Sequence, residues 1–481
     1  MSLTQIASSD DFLWTFSELA AVANATLVCA SDRINTVITG ASIDTRTLQK
    51  GDVFFALQDV RDGHEFVESA FSKGAALAVV EKGREEALKQ FGALLVVPNV
   101  LEAMRDIGVL ARKRSHARRI AVTGSVGKTS VKDALKHVLS KQASTHASVA
   151  SYNNHFGVPL TLTRMPIQTQ YGVFEMGMSA PFEILPLSQM VHPHVALITT
   201  VEPVHIEFFK SIAAISDAKG EIFSHIEHGG IAIINHDNPY FERMQAHAFA
   251  SRAGRVLTFG EHEQADVRAL DIEVGSHGSD VRATVLGELI QFHMPLAGRH
   301  QAVNALAILA SVYALGADWQ KAAKDLATLE ATGGRGTRES IKLNDGSLTV
   351  IDESYNANPA SMRAAIGVLA SIPVINQGKR IAVLGDMLEL GENSNAMHAE
   401  IAKTIVHHGI DQVFVAGVHM KYLFDALPEQ QKGGYALTSA NLEHKVLQAI
   451  CVDDIIMIKG SNGSRMGRIV DALRSIHKNK M

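Results

Sequence analysis

Cysteine is nearly missing from this 481-residue chain, which has only Cys29 and Cys451, placed far apart. Two such distant thiols exclude a disulfide framework and form no metal or redox spacing. Long apolar runs are also missing, and nothing approaches the roughly 18 residues that a membrane-crossing helix needs. Asp10 and Asp11 precede any long apolar stretch, which excludes a secretory signal and makes the cytoplasm the expected compartment. There is no excess of basic charge: 45 Lys and Arg against 50 Asp and Glu leave a net charge of −5. That balance argues against the basic face of a dedicated nucleic-acid binder. The densest basic run, Arg112-Lys113-Arg114 with Arg118-Arg119, reads as a solvated entry to the strand that follows. No Gly-x-Gly-x-x-Gly follows a predicted strand, so a dinucleotide cofactor is disfavoured. Internal repeats and low-complexity tracts are absent too.

What remains is the composition of an ordinary soluble globular protein, 46% hydrophobic and 20% charged. At roughly 100–200 residues per domain, the length predicts about three domains. Residues 1–99 alternate short β-like runs, such as Val53 to Leu57 and Ala78 to Val80, with a helical pattern at Glu65 to Gly74. This reads as a small α/β module. Residues 100–332 carry apolar runs at Gly172–Phe174, Val195–Thr200 and Gly230–Ile234, each resembling a buried parallel strand. Gly333-Gly334-Arg335-Gly336 is the clearest linker. Residues 333–481 then place strands at Leu348–Ile351, Arg380–Leu384, Gln412–Ala416 and Asp454–Ile458, as in a Rossmann-like doubly wound sheet. The expected class is therefore α/β with three domains, the central one a parallel sheet of the phosphate-loop ATPase kind.

The richest stretch is Ala121-Val-Thr-Gly-Ser-Val-Gly-Lys-Thr-Ser130. An apolar strand turns through Gly124 and Gly127 and enters a helical pattern near Lys128. Glycines let the backbone wrap an anion with its N–H groups, and the helix N-terminus adds partial positive charge. Gly124, Ser125, Val126, Gly127, Lys128, Thr129 and Ser130 are thus candidate nucleotide ligands. Lys128 would reach the β/γ-phosphates, and the Thr129 hydroxyl could hold Mg2+. Val122 stands where the usual pattern has a further Gly, so the loop is a shortened variant. Glu175, at the end of an apolar run, is placed to offer a hard oxygen ligand to Mg2+. His205 and Lys219, taken alone, read as an ordinary loop histidine and a surface helix lysine.

Taken together these strings resemble the Mur ligase family, the ATP-dependent amide ligases of bacterial cell-wall precursor synthesis. The resemblance runs along nearly the whole chain. It rests on Thr123-Gly-Ser-Val-Gly-Lys-Thr-Ser-Val-Lys-Asp133, Asn153-Asn-His-Phe-Gly-Val-Pro159, Glu175-Met-Gly-Met, His205 and Ala218-Lys-Gly-Glu-Ile-Phe223. It continues through Gly298-Arg-His-Gln-Ala-Val-Asn-Ala305, Asp352-Glu-Ser-Tyr-Asn-Ala-Asn-Pro359, Leu384-Gly-Asp-Met-Leu-Glu-Leu-Gly-Glu392 and Lys459-Gly-Ser461. The family often has His-Asn where this chain has His300-Gln301, so Gln301 is given no role.

The resemblance implies that the first domain holds the UDP end of the substrate, with Asp44, Thr45, Arg46, Asp62, Gly63 and His64 in the uridine-nucleotide region. It assigns Thr129, Glu175, His205 and a carbamylated Lys219 to magnesium, and Lys128, His205 and Lys219 to catalysis. Asn304 would contact the adenine side, while Arg335 and Asp352 would reach the nucleotide. Asn154, Tyr355, Asn356, Asn358, Lys459 and Ser461 would face substrate. The implied partners are ATP, a UDP-N-acetylmuramoyl-tripeptide and D-alanyl-D-alanine, joined through an acyl phosphate by a monomer with no nucleic-acid or membrane partner.

Other readings compete. A ligase adding one diamino acid should carry Asp-Asn-Pro-Arg in its last domain, whereas Asp237-Asn238-Pro239-Tyr240 lies in the central one. A folate polyglutamate ligase shares the expected fold, but Asp44 to Arg46 speak against it. A switch NTPase would turn over ATP without a peptide substrate.

Overall fold

Continuous apolar runs become strands buried on both faces, and here they assemble three large successive sheets, beside a two-stranded pair of Trp14–Thr15 with Val37–Ile38. The computed structural model describes residues 13–204 and 206–476. The first sheet has five strands, in the order Thr26–Val28, Leu94–Val97, Leu77–Glu81, Asp52–Phe55 and Gly40–Ser42. All its pairings are parallel except that of the edge strand Thr26–Val28. The helix expected at Glu65–Gly74 splits into a 3-10 turn, Gly63–Phe66, and a short α-helix, Val67–Ser72. Asp62 forces that start by accepting the His64 amide. The helix Val100–Arg114 packs Val100, Met104 and Ile107 into the same core as Val53, Phe55, Val79 and Leu95. Trp14 fastens this unit to the next by donating its indole N–H to the Thr163 carbonyl at 3.0 Å.

The second sheet has nine strands. Their order is Glu288–Met294, Gly278–Val285, Val267–Gly275, Arg255–Gly260, Ile231–Asn235, Val195–Ile198, Arg118–Thr123, Tyr171–Glu175 and Thr145–Ala147. The expected all-parallel centre needs correction: the last three strands in sequence form an antiparallel meander on one edge. The other pairings are parallel. From Arg118–Thr123 the chain runs to one edge, returns through Tyr171–Glu175, then crosses to Val195–Ile198 on the other side. The order therefore reverses around Arg118–Thr123, and a crevice opens beyond its carboxyl end. The phosphate loop occupies that place.

The third sheet has six strands, in the order Thr337–Leu343, Gly346–Glu353, Ile455–Lys459, Arg380–Gly385, Gln412–Ala416 and Lys432–Ala436. It is parallel apart from the antiparallel edge hairpin of Thr337–Leu343 with Gly346–Glu353. The three-domain α/β architecture stands, with mixed rather than purely parallel sheets. Among the described residues, no helix is long and apolar enough to cross a membrane.

Candidate active site

The loop between Arg118–Thr123 and the helix Lys128–Ser140 needs its glycines. Gly124 sits at φ +149° and Gly127 at φ +87°, conformations that side chains disfavour. A Cβ on Gly124 would lie 1.9 Å from Thr199 Oγ1. The loop is braced from the neighbouring strand end: Thr199 Oγ1 donates to the Val126 carbonyl at 2.6 Å, and the Glu202 amide donates to Ser125 Oγ at 2.8 Å. Lys128 folds back to donate to the Gly124 carbonyl at 2.7 Å. Burial lowers its pKa; Glu175 opposes that shift and Arg335 adds to it.

Glu175 ends its strand 1% exposed. One carboxylate oxygen, Oε1, accepts from Thr129 Oγ1 at 3.0 Å and from the Asn153 amide at 2.8 Å. The other, Oε2, is buried with no hydrogen-bond partner. A buried carboxylate oxygen cannot be left uncompensated cheaply, so the free Glu175 Oε2, with the Thr129 hydroxyl on the same carboxylate, fits a hard cation. Among the described residues, no group of three or more His, Cys, Asp or Glu side chains is arranged around a metal position. His205 lies outside the described residues.

Lys219, expected from its own sequence context on a surface, is instead 2% exposed in the last turn of the helix Ile212–Gly220. Burial, then the charge of Lys128, lowers its pKa well below the ordinary lysine value. Asn304 packs its amide against Gly127, about 3.1 Å from where a Cβ would stand.

The third domain closes the crevice into a cleft of about 1170 Å3. It gathers Ser125 to Ser130, Asn154, Glu175, Asn304, Arg335, Tyr355, Asn356, Asn358, Lys459 and Ser461. Arg335 stacks over the Tyr355 ring, 4.0 Å from its centroid. The side-chain oxygen of Asn358 caps the helix Pro359–Ser371 through the Ser361 amide, with Pro359 at the first helical position, so much of its role is structural. Lys459 is buried against Glu353 at 3.1 Å and the Asn356 carbonyl at 3.0 Å. Ser461 Oγ accepts from the Leu388 amide and donates to the Ala357 carbonyl, tying three loops.

Other expected residues do not join the cleft. Asp352 accepts from the Ser354 hydroxyl at 2.6 Å and faces Arg474 at 3.4 Å; Glu353, next along the strand, lines the cleft instead. In the first domain Arg46 clasps Asp44 at 2.6 Å, and that hydrogen bond lowers the Asp44 pKa. Lys73 holds the Thr45 carbonyl at 2.7 Å. Asp62 joins His64 Nδ1 at 2.6 Å and Arg84 at 3.0 Å, beside Gly63, where a Cβ would strike Leu57 O at 2.4 Å. None of these six residues lines the cleft. Sequence reasoning missed Ser151, Asn153, Thr199, Glu202 and Glu353. Asn153 and Glu353 lie inside motif strings given above, while Ser151, Thr199 and Glu202 carry no residue-type signal.

Residues 122–312 match the family model of the Mur ligase middle domain, and residues 338–462 match that of the Mur ligase, glutamate ligase domain. The chain belongs to the Mur ligase family. It is 34% identical over 464 residues to the UDP-N-acetylmuramoyl-tripeptide–D-alanyl-D-alanine ligase of Escherichia coli (strain K12), covering 96% of this chain and 98% of that protein. To the ligase of the same name from Rickettsia prowazekii (strain Madrid E) it is 33% identical, over 89% of this chain and 93% of that one. The crystal structure of MurF from Acinetobacter baumannii superposes with a TM-score of 0.82 at 28% identity, covering 96% and 99% of the two chains. In this Mur ligase, the phosphate loop and Glu175 belong to the middle domain, and Tyr355 to Lys459 belong to the domain that faces them.

Proposed function

We propose that this Mur ligase joins D-alanyl-D-alanine to a UDP-N-acetylmuramoyl-tripeptide in peptidoglycan precursor synthesis, converting ATP to ADP and phosphate. The observation that carries the reading is the cleft itself, where a phosphate cradle, a partnerless buried carboxylate oxygen and the third-domain loops meet. The near full-length likeness to ligases of that name supports the choice of substrates. We divide the chain near residues 99 and 332, with the UDP end held by the first domain and the cytoplasm as the working compartment. Asp44 to Arg46 and Asp62 to His64 would face the uridine nucleotide, and Asn304 and Arg335 the adenosine.

A carboxylate does not exchange its oxygen for an amine at neutral pH, because oxide is too poor a leaving group. One oxygen of the tripeptide's terminal carboxylate attacks the γ-phosphorus of ATP, and the bond to the β,γ-bridging oxygen breaks. ADP leaves and an acyl phosphate remains. The free amine of D-alanyl-D-alanine attacks the acyl carbon, phosphate departs, and the nitrogen loses a proton to leave the amide. Lys128, at the head of the loop, would offset charge on the transferring phosphoryl group with its ammonium. Glu175 and Thr129 would hold Mg2+, which neutralises charge on the phosphates when bound. A carbamate on Lys219 would turn the cation beside Lys128 into an anion, matching the positive charge gathered there.

Mass analysis of products tests this reading. With ATP and Mg2+, the UDP-linked tripeptide should gain D-alanyl-D-alanine. Efficient coupling of free lysine or diaminopimelate to a UDP-linked dipeptide would overturn the substrate choice, and ATP turnover without peptide would favour a switch NTPase. Gly124→Ala should weaken ADP binding about tenfold or more, ~1.4 kcal/mol, by driving the loop off Thr199. Calorimetric titration with wild-type affinity would show that the loop is not the phosphate cradle.

A further inference from the structure

Between the strand Thr145–Ala147 and the helix Gly157–Thr163 the chain makes a turn that local preference does not favour. Ala150 adopts φ +48°, the left-handed region that Ala avoids. Lys132, 1% exposed on the helix that starts at the phosphate loop, holds that turn by donating to both the Ser148 and the Ala150 carbonyls at 3.0 Å. An outlier held so firmly directs attention to what it aims. It aims Ser151.

Ser151 Oγ lies 3.4 Å from Thr129 Oγ1, accepts from the Tyr355 hydroxyl at 2.7 Å and meets Arg335 Nη2 at 3.5 Å. The one hydroxyl proton of Thr129 goes to Glu175 Oε1. Ser151 must therefore be the donor toward Thr129, leaving its lone pairs to Tyr355 and Arg335. The result is a chain of directed hydroxyls, Tyr355 to Ser151 to Thr129 to Glu175, whose polarity is fixed by the carboxylate at its end. Ser151, Thr129 and Glu175 belong to the middle domain, and Tyr355 belongs to the third domain.

We propose that Ser151 is a positioning residue that couples the seating of the third domain, through Tyr355, to the orientation of the Thr129–Glu175 pair. The proposal rests on the reading of that pair as the magnesium and phosphate site. When Tyr355 is seated, Ser151 is held as a donor to Thr129, which in turn keeps Glu175 Oε2 turned toward the cation position. Without that tie, Thr129 can rotate and the carboxylate loses one of its two fixed donors.

The variants Ser151→Ala, Tyr355→Phe, their double and Ser151→Thr test it, read by amide hydrogen exchange of the unliganded protein and by steady-state ligation. Ser151→Ala should speed exchange several-fold across residues 353–357, and Tyr355→Phe should do the same. The double variant should be no worse than Ser151→Ala within about twofold, because both remove one contact. In ligation, kcat should fall about tenfold and the Mg2+ concentration for half-maximal rate should rise several-fold, with KM for the tripeptide substrate unchanged. Ser151→Thr, which keeps the hydroxyl, should restore both. Faster exchange confined to residues 148–154, or multiplied effects in the double variant, would overturn the coupling and leave Ser151 supporting only its own loop. If wild type shows no ligation while Ser151→Ala still loosens 353–357, the proposed function falls and the tie between domains stands.

Discussion

Lys128→Ala is expected to abolish measurable ligation, with a loss of at least 10²–10³ in kcat, roughly 3–4 kcal/mol of transition-state stabilisation. The ammonium is held over its own loop by the Gly124 carbonyl at 2.7 Å, so it is positioned before any nucleotide arrives. Such preorganisation is what makes a fixed charge effective in phosphoryl transfer, where little covalent chemistry falls to the protein. Folding should not suffer in proportion. Burial depresses the Lys128 pKa, so in the absence of nucleotide the folded state binds this proton less readily than the unfolded chain does. By linkage, that depression costs stability at neutral pH, and the cost fades as pH rises toward the unfolded lysine value. The alanine variant sheds that cost but also loses the side-chain packing and the bond to the Gly124 carbonyl, so it should melt close to the wild type at pH 7 by circular dichroism. Near-normal turnover would show that the loop is not the ATP site.

That lysine was legible in the sequence because its spacing from two glycines after an apolar strand has a mechanism behind it. The strands legible beside it, Arg118–Thr123, Val195–Ile198 and Arg380–Gly385, are buried on both faces and read as unbroken apolar runs. The meander from Val267 to Met294 was not legible for the opposite reason. One face is solvated, and a bulge between Ala269 and Asp271 breaks the two-residue period that would have revealed it. The strand Thr337–Leu343 buries only Ile341, so its sequence looks like an extension of the glycine linker. Asp352 and Glu353 show how strand alternation decides which neighbour reaches the cleft. Successive side chains on a strand face opposite ways, and the structure turns Glu353, not Asp352, into the cleft. Ser151 had no signal at all, since its importance comes from a strained neighbour and a tyrosine 204 positions away.

Lys219 has the second-largest expected effect, because its own sequence context and its surroundings disagree. An Ala-Lys-Gly at a helix end reads as surface, yet the side chain is 2% exposed, and burial together with Lys128 pushes its pKa well below 10.5. A depressed pKa supplies the neutral amine that carbamylation requires. In the proposed modification its nitrogen would attack the carbon of CO2 and a proton would leave, so that an anion would stand where the amine was. Lys219→Ala is expected to lose on the order of 10²-fold in kcat, about 2.7 kcal/mol. Formate or acetate entering the vacated space should recover at least tenfold of that loss, whereas Lys219→Arg keeps the wrong charge and should stay as inactive as alanine. The sign of the stability effect is also fixed. In the unmodified protein the folded state binds fewer protons than the unfolded chain between the depressed Lys219 pKa and the ordinary lysine value, so stability rises with pH through that window and the full cost is present below it. Lys219→Met, free of this cost, should melt above carbamate-free wild type at pH 7, with the gap narrowing as pH approaches 10. Intact-mass analysis of wild type in bicarbonate should show added CO2 that the methionine variant lacks. An active arginine variant, or an alanine variant at full rate, would mean that the buried lysine is only packing.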